Sequence, residues 1–413
     1  MKSINNMNAR WRSGALAGLA LLLPVTGLAQ EVATAPSPRA AATVQAYWTA
    51  ERMQGAQAMP VPAVPMAVGA KAKKAAPPDA LPGRAPGWAP DSGRQPKPDA
   101  MYWMSEEEYI AAEAAKFEPQ HGTAPANPRD GPYAPFQRWT WNGKYITYPM
   151  STVGKLFFTL PGIGNFVCSA SVIGRSTLAT AGHCVSSGAG VWATNMLFCP
   201  SYRAVGGGAP HPGRGCWAGV TQTTSGAWHF NSDFDRDYAC IVTAETGTVR
   251  ANRIGDTTGW TGRAWNWSGV MELAFGYPAA APFPGYNIIA AASTDWYTHD
   301  WGNDANQFAK FIGNDSTGGS SGGPWWLGMR HLSLEYADTD GNGNTDPGQP
   351  GGPYINGVNS HKRCAGGTCQ SPPTTTAGVF WQEMGSSAFR NTAGDGGESE
   401  DVFAVCLAHA NNS

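Results

Sequence analysis

Two runs far apart in the chain carry groups suited to covalent chemistry. Ser321 lies in Gly318-Gly319-Ser320-Ser321-Gly322-Gly323-Pro324, and His183 lies upstream in Thr180-Ala181-Gly182-His183-Cys184. A serine hydroxyl is a weak nucleophile at neutral pH, so it needs an imidazole to accept its proton and backbone donors to hold the developing oxyanion. The glycines before Ser321 allow a tight turn that aims the amides of Gly319 and Ser321 at one point, and those after it leave room for a carbonyl. Taken singly, each run has a plain reading, a histidine packed beside a cysteine or a serine in a glycine loop. Together they supply nucleophile, base and oxyanion donors for attack on a carbonyl.

These motifs resemble the chymotrypsin-like serine peptidases, and the surrounding sequence, roughly Lys144 to Val358, resembles their bacterial glutamyl-endopeptidase branch. Val153-Gly154-Lys155-Leu156-Phe157-Phe158 and Phe166-Val167-Cys168-Ser169-Ala170-Ser171-Val172-Ile173 are similar to the family's first strands, and Gly276-Tyr277-Pro278 to a turn in its second half. The resemblance implies an all-β fold of two packed six-stranded antiparallel β-barrels with the site between them. It also implies an orienting Asp at the opening of a short apolar strand, the form of Asp237-Tyr238-Ala239-Cys240-Ile241-Val242. Asp233 and Asp235 are rivals in the same polar turn. Asp237 would accept the second imidazole N–H of His183, fixing its tautomer. By position, Ser360 would support Asp237, and His361 would form part of the cleft wall.

Three positions bear on activation and specificity within the family, and two of them, Ser320 and Asn359, depart from well-known branches. Ser320 stands where the animal digestive enzymes carry an Asp that pairs with a new amino terminus, and no Ile-Val-Gly-Gly-like sequence precedes Val153. Activation by that ion pair is therefore not expected, and maturation would act by removing a segment that blocks or chaperones the site. Asp315, followed by Ser316, holds the position that favours Lys or Arg in the trypsin branch, yet a similar arrangement occurs in glutamyl endopeptidases without that preference. Asn359 replaces the histidine expected in glutamyl-specific enzymes.

The elements needed to position these groups are legible in outline. Short apolar runs alternate with Gly, Pro, Asn and Asp turns, for example Cys168 to Ile173 and Thr177 to Thr180 around Gly174-Arg175-Ser176, which suits a turn-rich β protein. The predicted division is a first barrel at about 145–253, a second at about 258–395 and a tail at 396–413, all within a domain of 139–413. His183 and Asp237 then fall on the first barrel and Ser321 on the second.

Residues 1–29 read as a secretory signal: Lys2, Arg10 and Arg12 precede the apolar run Gly14 to Leu23 and the small-residue site Gly27-Leu28-Ala29. From 30 to 138 the composition turns rich in Pro and Ala, which buries little core and favours extended chain. This extension reads as a propeptide or a disordered segment, with one alanine-rich helix at 105–117 opened by Ser105-Glu106-Glu107-Glu108. Eight cysteines fit an oxidising compartment. Resemblance gives Cys168–Cys184; proximity adds Cys199–Cys216 and Cys364–Cys369, which leaves Cys240 for Cys406. No Cys-x-x-Cys pairs suggest zinc.

Asp338, Asp340, Asn342 and Asp346 are spaced like the first, third, fifth and ninth positions of a calcium loop, but Gln349 stands where a bidentate Glu is expected. That run reads either as a structural calcium site or as a solvated turn; the chemistry itself requires no cofactor. With 28 basic and 30 acidic residues, the formal charge of −2 gives no reason to expect nucleic acid or an anionic membrane as a partner. The expected partners are polypeptide substrates, met by a monomer without a membrane anchor. The rival reading is a catalytically silent binding module that uses aromatic residues such as Trp325, Trp326 and Trp381.

Overall fold

The computed structural model describes residues 31–65, 81–88, 120–121, 136–141, 145–203, 214–295, 297–301, 307–327, 353–364, 383–392 and 397–413. The signal segment, the 105–117 helix, the candidate calcium loop, Cys369 and Trp381 lie outside the described residues. In chain order the N-terminal part holds β1 (Val32–Pro36), α1 (Ala41–Tyr47), α2 (Ala50–Gly55), β2 (Gln57–Ala58), β3 (Ala63–Pro65), β4 (Gly83–Ala85), β5 (Gln120–His121) and β6 (Gln137–Trp141). The first lobe holds β7 (Val153–Leu160), β8 (Gly164–Gly174), β9 (Thr177–Thr180), β10 (Thr194–Pro200), β11 (Trp217–Ser225) and β12 (Ala239–Thr243). The second holds β13 (Gly262–Trp265), β14 (Met271–Gly276), β15 (Ile288–Thr294), β16 (Tyr297–His299), β17 (Ala309–Gly313), β18 (Pro324–Leu327), β19 (Tyr354–Val358), β20 (Lys362–Cys364) and β21 (Glu383–Ser387).

The first lobe is a closed antiparallel barrel, in the order β7-β8-β9-β12-β11-β10 and back to β7. Closure removes the exposed edges that an open sheet of such apolar strands would present. Leu156, Phe157, Phe158, Val172, Leu178, Leu197, Phe198, Trp217 and Ile241 are almost wholly buried. The second lobe follows the expected antiparallel hairpins, such as β14–β15 and β18–β19, but is not one antiparallel ring. It is a sheet ordered β4-β13-β19-β18-β14-β15-β6-β5, with β13 and β19 parallel, beside a three-stranded sheet β16-β17-β21. One hydrophobic cluster runs through both lobes, from Phe157 and Ile241 to Phe275, Trp326 and Val358.

The N-terminal segment differs from the composition-based expectation. β1 adds to the first lobe by pairing with β11, from Val32 opposite Ser225 to Pro36 opposite Thr221. Val44, Trp48 and Met53 on and between the two helices are buried. A few well-spaced apolar side chains suffice to dock a segment whose average composition is poor in them. Downstream, β2 runs parallel to β8 and β3 runs parallel to β20.

Three of the expected disulfides are present: Cys168–Cys184, Cys199–Cys216 and Cys240–Cys406. The last ties the C-terminal helix Ser399–Leu407 to β12. Among the described residues no helix is long and apolar enough to cross a membrane.

Candidate active site

His183 sits in a 3₁₀ turn, Gly182–Cys184, directly after β9. Its backbone N–H donates to Asp237 Oδ1 at 2.8 Å, and its Nδ1 lies 2.8 Å from Asp237 Oδ2. Two contacts to one carboxylate fix both the turn and the ring. The turn must begin with a residue lacking a side chain, because a Cβ on Gly182 would lie 2.6 Å from the Trp228 ring and 2.9 Å from Asp237 Oδ1. Cys184, bridged to Cys168 on β8, holds the turn from the other side.

Asp237 stands immediately before the β12 region and is completely buried. Its backbone N–H donates to Ser387 Oγ at 2.8 Å, while Ser360 Oγ donates to Oδ2 at 2.5 Å. Burial alone would raise the pKa of this carboxyl. The charge of His183, the hydrogen bonds from its ring, from Ser360 and from the His183 backbone outweigh that effect and hold the pKa below the usual carboxylate range. The rivals are occupied elsewhere: Asp233 caps the turn at Asp235 N, and Asp235 Oδ2 accepts from the Trp301 backbone.

Ser360 Oγ also lies 2.8 Å from His361 Nδ1, and His361 Nε2 lies 2.8 Å from the indole N–H of Trp301. Indole can only donate, so Nε2 accepts and Nδ1 carries the proton toward Ser360. Trp301, His361 and Ser360 thus form a directed run of hydrogen bonds that ends on the Asp237 carboxylate, which accepts from His183 on its other side. His361 is wholly buried and touches the rings of Phe234, Trp301 and Phe311, so its side chain turns inward rather than lining an open wall.

Ser321 approaches from the second lobe, on the turn that leads into β18, and its Oγ makes no hydrogen bond to His183 Nε2. Gly319 and Gly322 take φ of +92° and +78°. A Cβ on Gly322 would lie 2.0 Å from Thr180 Oγ1 and 2.9 Å from the Ala181 amide nitrogen, so the turn after the serine packs directly on the chain entering the His183 turn. His183 Nε2 and Ser321 Oγ are both buried, and neither has a hydrogen-bond partner among the described residues. Ser320 Oγ donates to the Thr317 carbonyl at 2.8 Å, which closes the loop on itself. The amide of Gly319 donates to the carbonyl of Met59 at 2.9 Å.

Sequence reasoning missed the groups that hold this loop in place. Ser169, beside Cys168, receives the Tyr277 amide and donates to the Gly319 carbonyl, at 2.8 and 2.9 Å, while its own amide donates to the Ser321 carbonyl at 2.7 Å. Asn359 donates to the carbonyls of Phe275 and Ser320 and accepts from Trp325 Nε1. At Asn359 only the departure from a histidine was legible, not this bracing role. Ser169 gives no signal of its own in the sequence.

Asp315 accepts a hydrogen bond from Arg138 at 2.6 Å, within an ion pair whose side chains are 18% and 13% exposed. Buried Lys362 adds positive charge nearby; burial lowers its pKa to about 8, against a counteracting pull from Asp315 and Glu383. Ser316 is buried, and its amide donates to Asn314. Trp325 and Trp326 belong to the core, at 0% and 1% exposed, and so offer no binding surface. The His183 ring lies close to two sulfurs, Cys168 and Cys184, but these are joined to each other and are not thiolate ligands.

No protein-family model and no curated protein matches the chain. Among solved structures, it is similar to a thermostable serine protease, AL20, from an extremophilic microorganism: 27% identity, 63% of this chain and 98% of the other covered, TM-score 0.45. It is also similar to the protease Anisep from Arthrobacter nicotinovorans: 26% identity, 63% and 96% covered, TM-score 0.45. A third is a Glu endopeptidase in complex with MPD: 15% identity, 67% and 98% covered, TM-score 0.41.

Proposed function

We propose that the chain is an exported serine endopeptidase that hydrolyses peptide bonds through an acyl-enzyme. Ser321 Oγ attacks the scissile carbonyl; His183 Nε2 takes its proton and returns it to the leaving amine; Asp237 holds the imidazole in its Nδ1–H form and stabilises the imidazolium. The amides of Gly319 and Ser321 receive the oxyanion. Water then repeats the sequence on the ester, releasing the acid.

The observation that carries this reading is the buried Asp237 carboxylate bound by both the ring and the backbone of His183, with Nε2 and Ser321 Oγ left unpartnered at the same lobe contact. Buried polar atoms are normally partnered. Two unpartnered ones, a base and a nucleophile, suit a site that completes its geometry on substrate. The three disulfides support export to an oxidising compartment. The extension 30–138 is read as a propeptide. Arg138, its last residue, compensates Asp315 in the intact chain, and preference for Lys or Arg at the cut is not part of the proposal.

In the exported, matured product, Ser321→Ala or His183→Ala should lower turnover of a protein substrate on the order of 10⁶-fold with folding unchanged. A fluorophosphonate probe should label the parent at Ser321. A parent that takes up no probe, or a Ser321→Ala product that digests protein as well as the parent, overturns the reading.

A further inference from the structure

We infer that Gln57–Pro65 is an inhibitor of the site built into the chain and threaded through it backwards. The inference rests on the hydrolase reading and adds what keeps that site closed before maturation. Three backbone contacts fix the path. The Met59 amide donates to the Val167 carbonyl at 3.0 Å, the Gly319 amide donates to the Met59 carbonyl at 2.9 Å, and the Lys362 amide donates to the Pro62 carbonyl at 2.8 Å. Between and beyond them, Gln57 and Ala58 pair with Phe166 and Val167, and Ala63 to Pro65 pair with Lys362 to Cys364. The approach is close: a Cβ on Gly318 would lie 2.8 Å from the Met59 oxygen. Val61 packs on the apolar cluster of Ala274, Ile312, Trp325 and Met384. Under this cover Ser321 is 0% and His183 3% exposed.

The Met59 carbonyl therefore occupies the Gly319 donor that the mechanism reserves for the oxyanion, yet the direction of the chain is wrong for cleavage. A leaving nitrogen must lie within reach of the imidazole that protonates it. Val167 adjoins Cys168, whose bridge to Cys184 places that side of the cleft next to the His183 turn. In the strap this side holds the acyl half, Gln57 to Met59, while the leaving nitrogen, that of Pro60, departs toward Lys362. Both flanking pairings are parallel, so the segment is seated along its whole length with this polarity. Attack by Ser321 would strand the amine on the side away from its proton source.

The sequence suits the task. Pro60, Pro62 and Pro65 fix φ and remove amide donors, so little conformational freedom is lost when the strap lies extended. Upstream, β1 and the two helices anchor it to the first barrel, with Trp48 Nε1 donating to the Asn195 carbonyl at 2.6 Å. A weak cleft ligand held by such a tether acts at a high effective concentration, which vanishes once the tether is cut.

The test uses the full chain carrying the recognition sequence of an unrelated cysteine protease at two places: after Gly55, an exposed position where an added Cβ meets nothing within 4 Å, and after Leu81, which is 85% exposed, because β4 on β13 would otherwise keep the strap tethered from its C-terminal side. The chain folds intact and is then cut. Before the cut, Gly319 and Lys362 amides should exchange slowly with solvent and the fluorophosphonate probe should react slowly. After it, both amides should exchange faster and labelling should rise at least ~10-fold by loss of the tether. Val61→Asp should raise labelling in the uncut chain in the same direction. A synthetic peptide of residues 31–65, added to the cut enzyme, should restore slow labelling and be recovered intact. Equal exchange and equal labelling before and after the cut would overturn the strap, and cleavage of the peptide between Met59 and Pro60 would overturn its backward polarity. Amides that exchange freely after the cut without any probe uptake would leave the strap standing and remove the hydrolase reading instead.

Discussion

Asp237 holds its charge in a fully buried place because three groups are aimed at it: the ring and backbone of His183 and the hydroxyl of Ser360. Asp237→Asn would keep the shape but offer an N–H to a ring nitrogen that also carries one, forcing the other tautomer; turnover of the matured enzyme should fall about 10⁴-fold with little change in KM. Ser360→Ala removes a hydrogen bond to a charged group, worth about 1.5–3 kcal/mol, and should lower kcat roughly 10- to 100-fold. Steady-state kinetics on a peptide ester separate the two cases, and an unchanged kcat in Ser360→Ala would show that the Trp301–His361–Ser360 run serves packing alone. His183, Ser321 and Asp237 were legible because their neighbours are unusual: glycines, a cysteine and an apolar strand directly after a polar turn. Ser169, Asn359 and Arg138 were not, because each acts on a group far away in sequence and has an unremarkable local context.

At the scale of elements, short apolar runs between Gly and Pro turns read correctly as the strands of the first lobe. The parallel β13–β19 pair and the docking of β1 escaped, since pairing partners follow from tertiary contacts rather than from local pattern. The disulfides differ in what they close. Cys240–Cys406 spans a sequence separation of 166, against 17 for Cys199–Cys216. On the chain-entropy model the longer loop is worth about 5 kcal/mol and the shorter about 3 kcal/mol. The double serine variant of the first pair should therefore show the lower guanidinium midpoint under non-reducing conditions. The reverse order would mean that the C-terminal helix keeps its place on β11 and β12 through packing of Val402 and Phe403, both wholly buried.

For the molecule as a whole, buried titratable groups set an alkaline stability profile. Burial lowers the pKa of Lys155 and of Lys362 to about 8 in the fold. Between about pH 8 and their ordinary value near 10.5 the unfolded chain binds more protons than the folded one, so stability contributed by these groups rises with pH. Burial also pushes Tyr202 up to about 12, and Tyr148, Tyr238 and Tyr277 higher still. Above pH 10 the unfolded chain loses those protons first, and stability falls. Urea midpoints taken from pH 7 to 11 should pass through a maximum between 8 and 10.5; a monotonic fall across that range would mean the two lysines remain charged in the fold. The expected boundary near Arg253 to Thr258 falls between β12 and β13, and the residues there form a short helix, Ile254–Thr258. How the two sets of strands meet was not legible, because the shared core and the backbone contacts at the seam join residues far apart in sequence. The Ser169 amide holds the Ser321 carbonyl, and Gly322 rests on Ala181, so neither half of the polypeptide owns a working centre. On the proposed mechanism, competence then requires two events in order, the meeting of the halves and the departure of the strap, so the first turnover would report that both are complete.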